Sequence, residues 1–248
     1  MSNYESSPNN PKENNAEAWE SLAKDVPDPT VGESAEKDGF YISEITEGIF
    51  NRINGKSYKE GCILPKEDLR LLHVLHTDLN GEVQEGEMIV NHHIAETVLD
   101  IFRKLNEAGY PIEKIKLIDG YQNEETGAWA DDEASMTDNN ASSFNFRFIS
   151  GTKRVSKHGL GLAVDINPLY NPYHKFIDGR EFIEPAAGAP YLDRDADFPC
   201  KIDHDDLAFK LFTEAGFEWG GDWEDRKDWQ HFEIPAEKIK EWYPDVEL

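Results

Sequence analysis

Apolar positions in this chain fall into separate blocks, the first being Leu69, Leu72, Leu75 and Leu79 within Pro65–Leu79. Steps of three and four residues predict an amphipathic helix there. The next block is longer: Ile94, Val98, Ile101, Phe102 and Leu105 share one helical stripe, with Asn91 suited to cap its start and Gly109 to stop it. Lys114–Ile118 alternates polar and apolar residues, as a half-buried strand does, and Asp119-Gly120 marks a turn. Leu207, Leu211, Phe212 and Ala215 form a further helical stripe closed by Gly216. Phe217–Trp219 and Trp229–Ile234 read as two short strands around the turn GGDWEDRKD.

Other stretches have no period. Residues 1–38 are rich in Asn, Ser, Glu and Pro and predict a disordered acidic and polar tail, with structure beginning near Phe40. Residues 123–143 read as a long polar loop, and residues 169–199 as irregular. Helices followed by a sheet of non-adjacent strands give an α+β class, with the helices packed on a small, mainly antiparallel sheet.

Composition narrows this further. A chain of 248 residues with 38% hydrophobic content fits one core, hence a tail (1–38) and a single domain (39–248). Fifty acidic against 25 basic residues give a net charge of −25, which repels phosphates, so no nucleic-acid partner is expected. No apolar run approaches the roughly 18 residues of a membrane-spanning helix, and no stable membrane insertion is expected. The amino terminus lacks the basic-then-apolar pattern of a secretory signal. Cys62 and Cys200 allow one disulfide or two free thiols.

Chemistry concentrates in SKHGLGLAVDINP, from Ser156 to Pro168. Leu160, Leu162, Val164 and Ile166 share one strand parity, which leaves Asp165 on a face otherwise kept small by Gly161 and Ala163. An aspartate there opposes burial unless something compensates it, and a metal ion would. Fully extended, His158 and Asp165 would lie roughly 23 Å apart and on opposite faces. Gly159 and Gly161 let the chain turn between them, so a loop followed by a strand is predicted. Catalytic zinc commonly takes three His or carboxylate ligands and keeps a fourth position open. His158 and Asp165 supply two, and His231 of DWQHFEIP is the candidate third, with Asp228 three positions before it.

These residues resemble the zinc peptidases of bacterial cell walls, the family of D-Ala-D-Ala carboxypeptidases and L-Ala-D-Glu endopeptidases. The family's Ser-x-His-x-x-x-x-x-x-Asp and acid-x-x-His patterns are met by Ser156, His158 and Asp165, then by Asp228 and His231. DLRLLHVLH, GEMIV, EAGYP, LIDGY, DDEASMTDNNASSFNFR and INPLYNPY look like segments of the endopeptidase-type branch, so the resemblance runs from about Lys59 to Pro235. It implies a hedgehog/DD-peptidase-like fold and one zinc ion on His158, Asp165 and His231. Asp228 becomes the general base and acid, and peptidoglycan stem peptides become the substrate. Several family members carry an arginine after Gly-Tyr, where this chain has Gln122. Transition-state stabilisation passes to Arg147 of FNFR, and Gln122 is left as a substrate-contacting position.

Glu233, two residues beyond His231, shares its strand face and is expected to support the ligand. Ser156 has no Gly-x-Ser-x-Gly elbow around it, so it is read as a hydrogen-bonding residue rather than a nucleophile. His73 and His76 are assigned to a half-buried helix face, His92 and His93 to the surface, and His204 to a helix start. Trp219, Trp223 and Trp229 suit core packing more readily than a substrate groove.

The family's substrates lie outside the cytoplasm, which implies a secreted or cell-envelope monomer, or else a lysin acting from inside the cell. Two rival classes stand beside the peptidase. One is a non-catalytic, zinc-containing cell-wall binding module of the same fold; the other is an acidic surface protein that binds calcium or a polymer.

Overall fold

Three strands open the domain: β1 (Tyr41–Glu44), β2 (Leu69–Thr77) and β3 (Val83–Asn91), hydrogen-bonded in the order β1-β2-β3. The structure is a computed structural model that describes residues 39–149 and 152–247, all within one compact unit. The tail expected over residues 1–38 lies outside the described residues.

The helix expected from Leu69 is therefore strand β2. Its leucine spacing misled because both faces of the strand are covered: neighbouring Leu71 and Leu72 are both buried, which erases the alternation of a half-exposed strand. Leu79, the last member of the supposed stripe, lies in the hairpin turn and is 39% exposed. That turn holds the register: Asp78 Oδ1 accepts from the amides of Asn80 and Glu82, and Gly81 takes φ +83. Thr77 then pairs with Val83 and Leu69 with Asn91 along the full length of the hairpin. His73 and His76 go with it. His73 stacks on Tyr41, and buried His76 bonds through Nδ1 to Ile112 O at 2.7 Å.

Helix α1 (Glu47–Ile53) sits between β1 and β2, capped by Thr46. Helix α2 (Ala95–Glu107) carries the expected stripe, with Val98, Ile101, Phe102 and Leu105 buried against β2 and Gly109 at φ +64 beyond its end. Its N-cap is Ile94 rather than Asn91: Asn91 Oδ1 accepts from His93 N in the turn that precedes the helix, while its Nδ2 donates to Leu160 O and Tyr243 Oη.

The strand expected over Lys114–Ile118 shrinks to β4 (Lys114–Ile115), paired in parallel with β5 (Asn140–Ala141). Between them, residues expected to be loop include helix α3 (Asp132–Thr137), whose N-cap Asp131 accepts from Ala134 N at 2.8 Å.

The metal-motif strand is β6 (Ala163–Asp165). The segment expected to be irregular after it holds a hairpin, β7 (Tyr173–Ile177) and β8 (Arg180–Glu184), closed by Asp178-Gly179 with φ of 51° and 76°. An Asp-Gly pair with two positive φ angles is the turn that matches strand twist, and it is the local signal for this hairpin.

Helix α4 (Leu207–Glu214) follows as predicted, but its cap is Asp206, accepting from Ala208 N and Phe209 N, and His204 instead reaches Asp222. The last elements are β9 (Glu218–Trp219), β10 (Lys227–Asp228), β11 (His231–Glu233) and α5 (Ala236–Trp242). The fold is α+β, with several small sheets rather than one: β1-β2-β3, β10-β7-β8, β6-β11-β9 and the pair β4-β5, with Ser142 just after β5 bridged to Asp165 of β6. Trp219 is core, its Nε1 donating to Trp229 O at 2.9 Å. Cys62 and Cys200 are free thiols. Among the described residues, no helix is long and apolar enough to cross a membrane.

Candidate metal centre

Antiparallel pairing of β6 with β11 sets Asp165 directly opposite His231. Cross-strand partners on one face lie close enough to interact, and here His231 Nδ1 is 2.9 Å from Asp165 Oδ1. The third member arrives on a single 3-10 turn, Lys157–Leu160, which ends at Gly161 in the left-handed region. A Cβ on Gly161 would stand 2.8 Å from the Asn91 amide nitrogen, so both φ and space require glycine. This turn carries His158 back over β6: its Nε2 is 3.2 Å from Asp165 Oδ2 and 3.1 Å from His231 Nδ1. One ligand atom from each of the three residues lies within 4.8 Å of the others, and all three residues are largely buried, Asp165 the least so at 8% exposed.

The outward nitrogens decide what this cluster can hold. His158 Nδ1 lies 2.8 Å from Ser143 O, and His231 Nε2 lies 2.9 Å from Glu233 Oε2. Both partners are acceptors, so both outward nitrogens carry the N–H, and lone pairs of His158 Nε2 and His231 Nδ1 face each other beside a carboxylate. Such a set is stable only around a cation. Separations of 2.9–3.2 Å approach the roughly 3.3 Å edge of a tetrahedron with bonds of about 2.0–2.1 Å, and two imidazoles with one carboxylate suit zinc.

Without a metal the cation is a proton. Burial acts to lower the His231 pKa, but hydrogen bonds to Asp165 and Glu233 outweigh it and push it up to about 10. Burial likewise opposes ionisation of Asp165, yet His158 and His231 hold it well below the usual carboxylate range. Ion and proton compete for the same nitrogen. Zinc affinity is therefore expected to strengthen about tenfold per pH unit between about pH 7 and pH 9, one proton leaving His231 per ion bound. Calorimetric titration in buffers of different ionisation enthalpy measures both the affinity and the proton count.

Asp228 ends β10 opposite Tyr173. Its Oδ1 is buried and has no hydrogen-bond partner among the described residues. Burial, helped by the charges of Asp165 and Glu233 and opposed by His231 and Arg147, pushes its pKa up to about 7. A glycine brings Asp228 next to the ligands: a Cβ on Gly220 would lie 2.8 Å from Asp228 Cβ, 2.6 Å from its carbonyl oxygen and 3.3 Å from His231 Cβ. Gly220→Ala is expected to force these two apart at a cost of about 1–3 kcal/mol, read as a lowered urea midpoint.

The remaining candidates divide. Glu233 touches His231 as expected. Buried Ser156 leads into the 3-10 turn, its amide donating to Arg147 O at 3.0 Å. Arg147 reaches Asp132 through Nε at 2.7 Å, and its charge is felt by Asp228. Gln122 is exposed, its Nε2 donating to Gly127 O within its own loop, and it makes no hydrogen bond to the cluster. Three contributors escaped the sequence reading: Ser143, Lys157 and Gly220. Ser143 acts through a backbone carbonyl, which leaves no trace in side-chain chemistry, and the close approach at Gly220 joins segments the sequence keeps apart. Lys157 is a lysine beside a histidine, with nothing in the sequence to mark its partner 76 positions away.

Two buried histidines, an aspartate and a nearby carboxylate with one unpartnered oxygen among the described residues together form a candidate hydrolytic metal centre. Residues 150–234 match the family model described as D-alanyl-D-alanine carboxypeptidase, which supports a peptidase of that kind. The matched stretch is less than half of the chain; it contains His158, Asp165, Asp228, His231 and Glu233 and leaves Arg147 and Gln122 outside. No curated protein and no solved structure matches the chain.

Proposed function

We propose that this protein is a zinc-dependent metallopeptidase that hydrolyses peptidoglycan stem peptides, as a D-Ala-D-Ala carboxypeptidase or an L-Ala-D-Glu endopeptidase. The observation that carries the reading is the inward pair of imidazole lone pairs beside Asp165, with both outward nitrogens held by acceptors. His158, Asp165 and His231 would hold the ion. Bound zinc polarises a carbonyl and lowers the pKa of water from 15.7 to about 7.

The chain's own groups do the rest. Asp228 would accept the proton of the attacking water at its carboxylate and later deliver it to the departing amine. Arg147 lends positive charge on that side, stabilising the developing oxyanion. The family match over residues 150–234 supports the peptidase class, and a substrate of the cell wall fits a place in the cell envelope.

Mass spectrometry of purified muropeptides incubated with zinc-loaded protein tests the reading. Loss of one D-Ala marks the carboxypeptidase, and scission after L-Ala marks the endopeptidase. Intact muropeptides that nevertheless bind would replace the enzyme with a binding module.

A further inference from the structure

His231 has two ring nitrogens, and only one can face His158 and Asp165. What grips the other decides which. Glu233 lies two residues along β11, and its Oε2 takes His231 Nε2 at 2.9 Å. The second oxygen is not free to wander, because Oε1 takes Lys157 Nζ at 2.7 Å. Lys157 immediately precedes His158 on the 3-10 turn. One ion pair thus ties the segment that bears the first histidine to the strand that bears the last. Side-chain exposures of 15% and 13% set it apart from the solvated surface pairs whose worth is near zero.

Neither residue belongs to the ligand cluster itself. We infer that Lys157 and Glu233 are a positioning pair: Glu233 selects Nδ1 of His231 as the metal-binding nitrogen, and Lys157 fixes Glu233 while joining the two ligand-bearing segments. The inference rests on the zinc reading above. Its physical basis is the geometry of the chain Lys157–Glu233–His231, in which each bond removes one rotational freedom from the next group. Without the Glu233 acceptor, the Nε2–H of a buried ring is left unpaired, and the tautomer that turns Nδ1 inward loses its advantage.

The test is zinc titration of the chelator-stripped full chain, together with long-range 15N–1H spectra of the imidazoles, for the parent, Glu233→Ala, Glu233→Gln and Lys157→Met. Glu233→Ala is expected to bind zinc about 10- to 100-fold more weakly and, at saturating zinc, to lose the single Nε2–H signature that His231 shows in the loaded parent. Glu233→Gln keeps an acceptor oxygen and should retain more affinity than alanine. Lys157→Met should weaken zinc binding in the same direction by less, and it decides the matter if Glu233→Ala does not fold. Affinities within about twofold of the parent, with His231 spectra unchanged, would overturn the inference while leaving the metal centre standing. A parent that takes up no zinc would overturn the metal reading itself, and with it the pairing.

Discussion

Asp228→Ala is expected to keep its zinc and lose about 10²- to 10⁴-fold in peptide cleavage, the usual share of a positioned acid–base group. The substitution removes no ligand, so metal content measured on the purified variant should match the parent. Stability gives the prediction a second edge. Among the described residues Asp228 Oδ1 is enclosed without a hydrogen-bond partner, a state that costs folding free energy. The alanine variant should therefore melt no lower than the parent, and higher if the carboxylate is ionised under the assay conditions. Full activity in this variant would assign the base to another residue.

Asp165→Ala should be the more damaging change, because it removes a ligand and the main counter-charge of a buried imidazolium. Zinc binding is expected to disappear. In metal-free protein at neutral pH, the variant should also lose about 3 kcal/mol of stability in urea, the lower end for breaking a buried pair, since Glu233 still holds Nε2 of His231. The pH dependence follows from the two shifts. The raised His231 contributes fully below its unfolded value of about 6.5, and that contribution fades as pH rises through about 10. The lowered Asp165 contributes above about pH 3.9 and fades as acid protonates it. Chelated parent and variant should thus differ most between about pH 4 and pH 6.5 and converge at about pH 10 and above. Equal urea midpoints in the acidic part of that window would show that Asp165 has no such role.

How far the sequence could be read depended on what each element's neighbours covered. Helices α2 and α4 face the core on one side only, so their stripes survive in the sequence. Strand β2 is covered on both faces, and its pattern became a false helix. The β7–β8 hairpin was announced by Asp178-Gly179 but hidden in a Pro- and Asp-rich context. In the site, the histidines and carboxylates were legible because chemistry restricts their types, and the family resemblance supplied their pairing. The groups that aim them were less so. Ser143 contributes a carbonyl any residue could offer, and the Lys157–Glu233 bond joins positions 76 apart.

Asn91 gives the last point. Its amide donates to Gly161 O, its side chain to Leu160 O and to Tyr243 Oη, which in turn reaches Asp68. Ser142 exchanges two backbone bonds with Asp165. All of these anchors lie outside residues 150–234, although every ligand lies inside. A fragment cut to the matched stretch would keep the three ligating side chains as composition while losing the walls they lean on. The smallest autonomous piece of this molecule is therefore larger than its recognisable signature, and the hairpin at its front braces the candidate metal centre without offering it an atom.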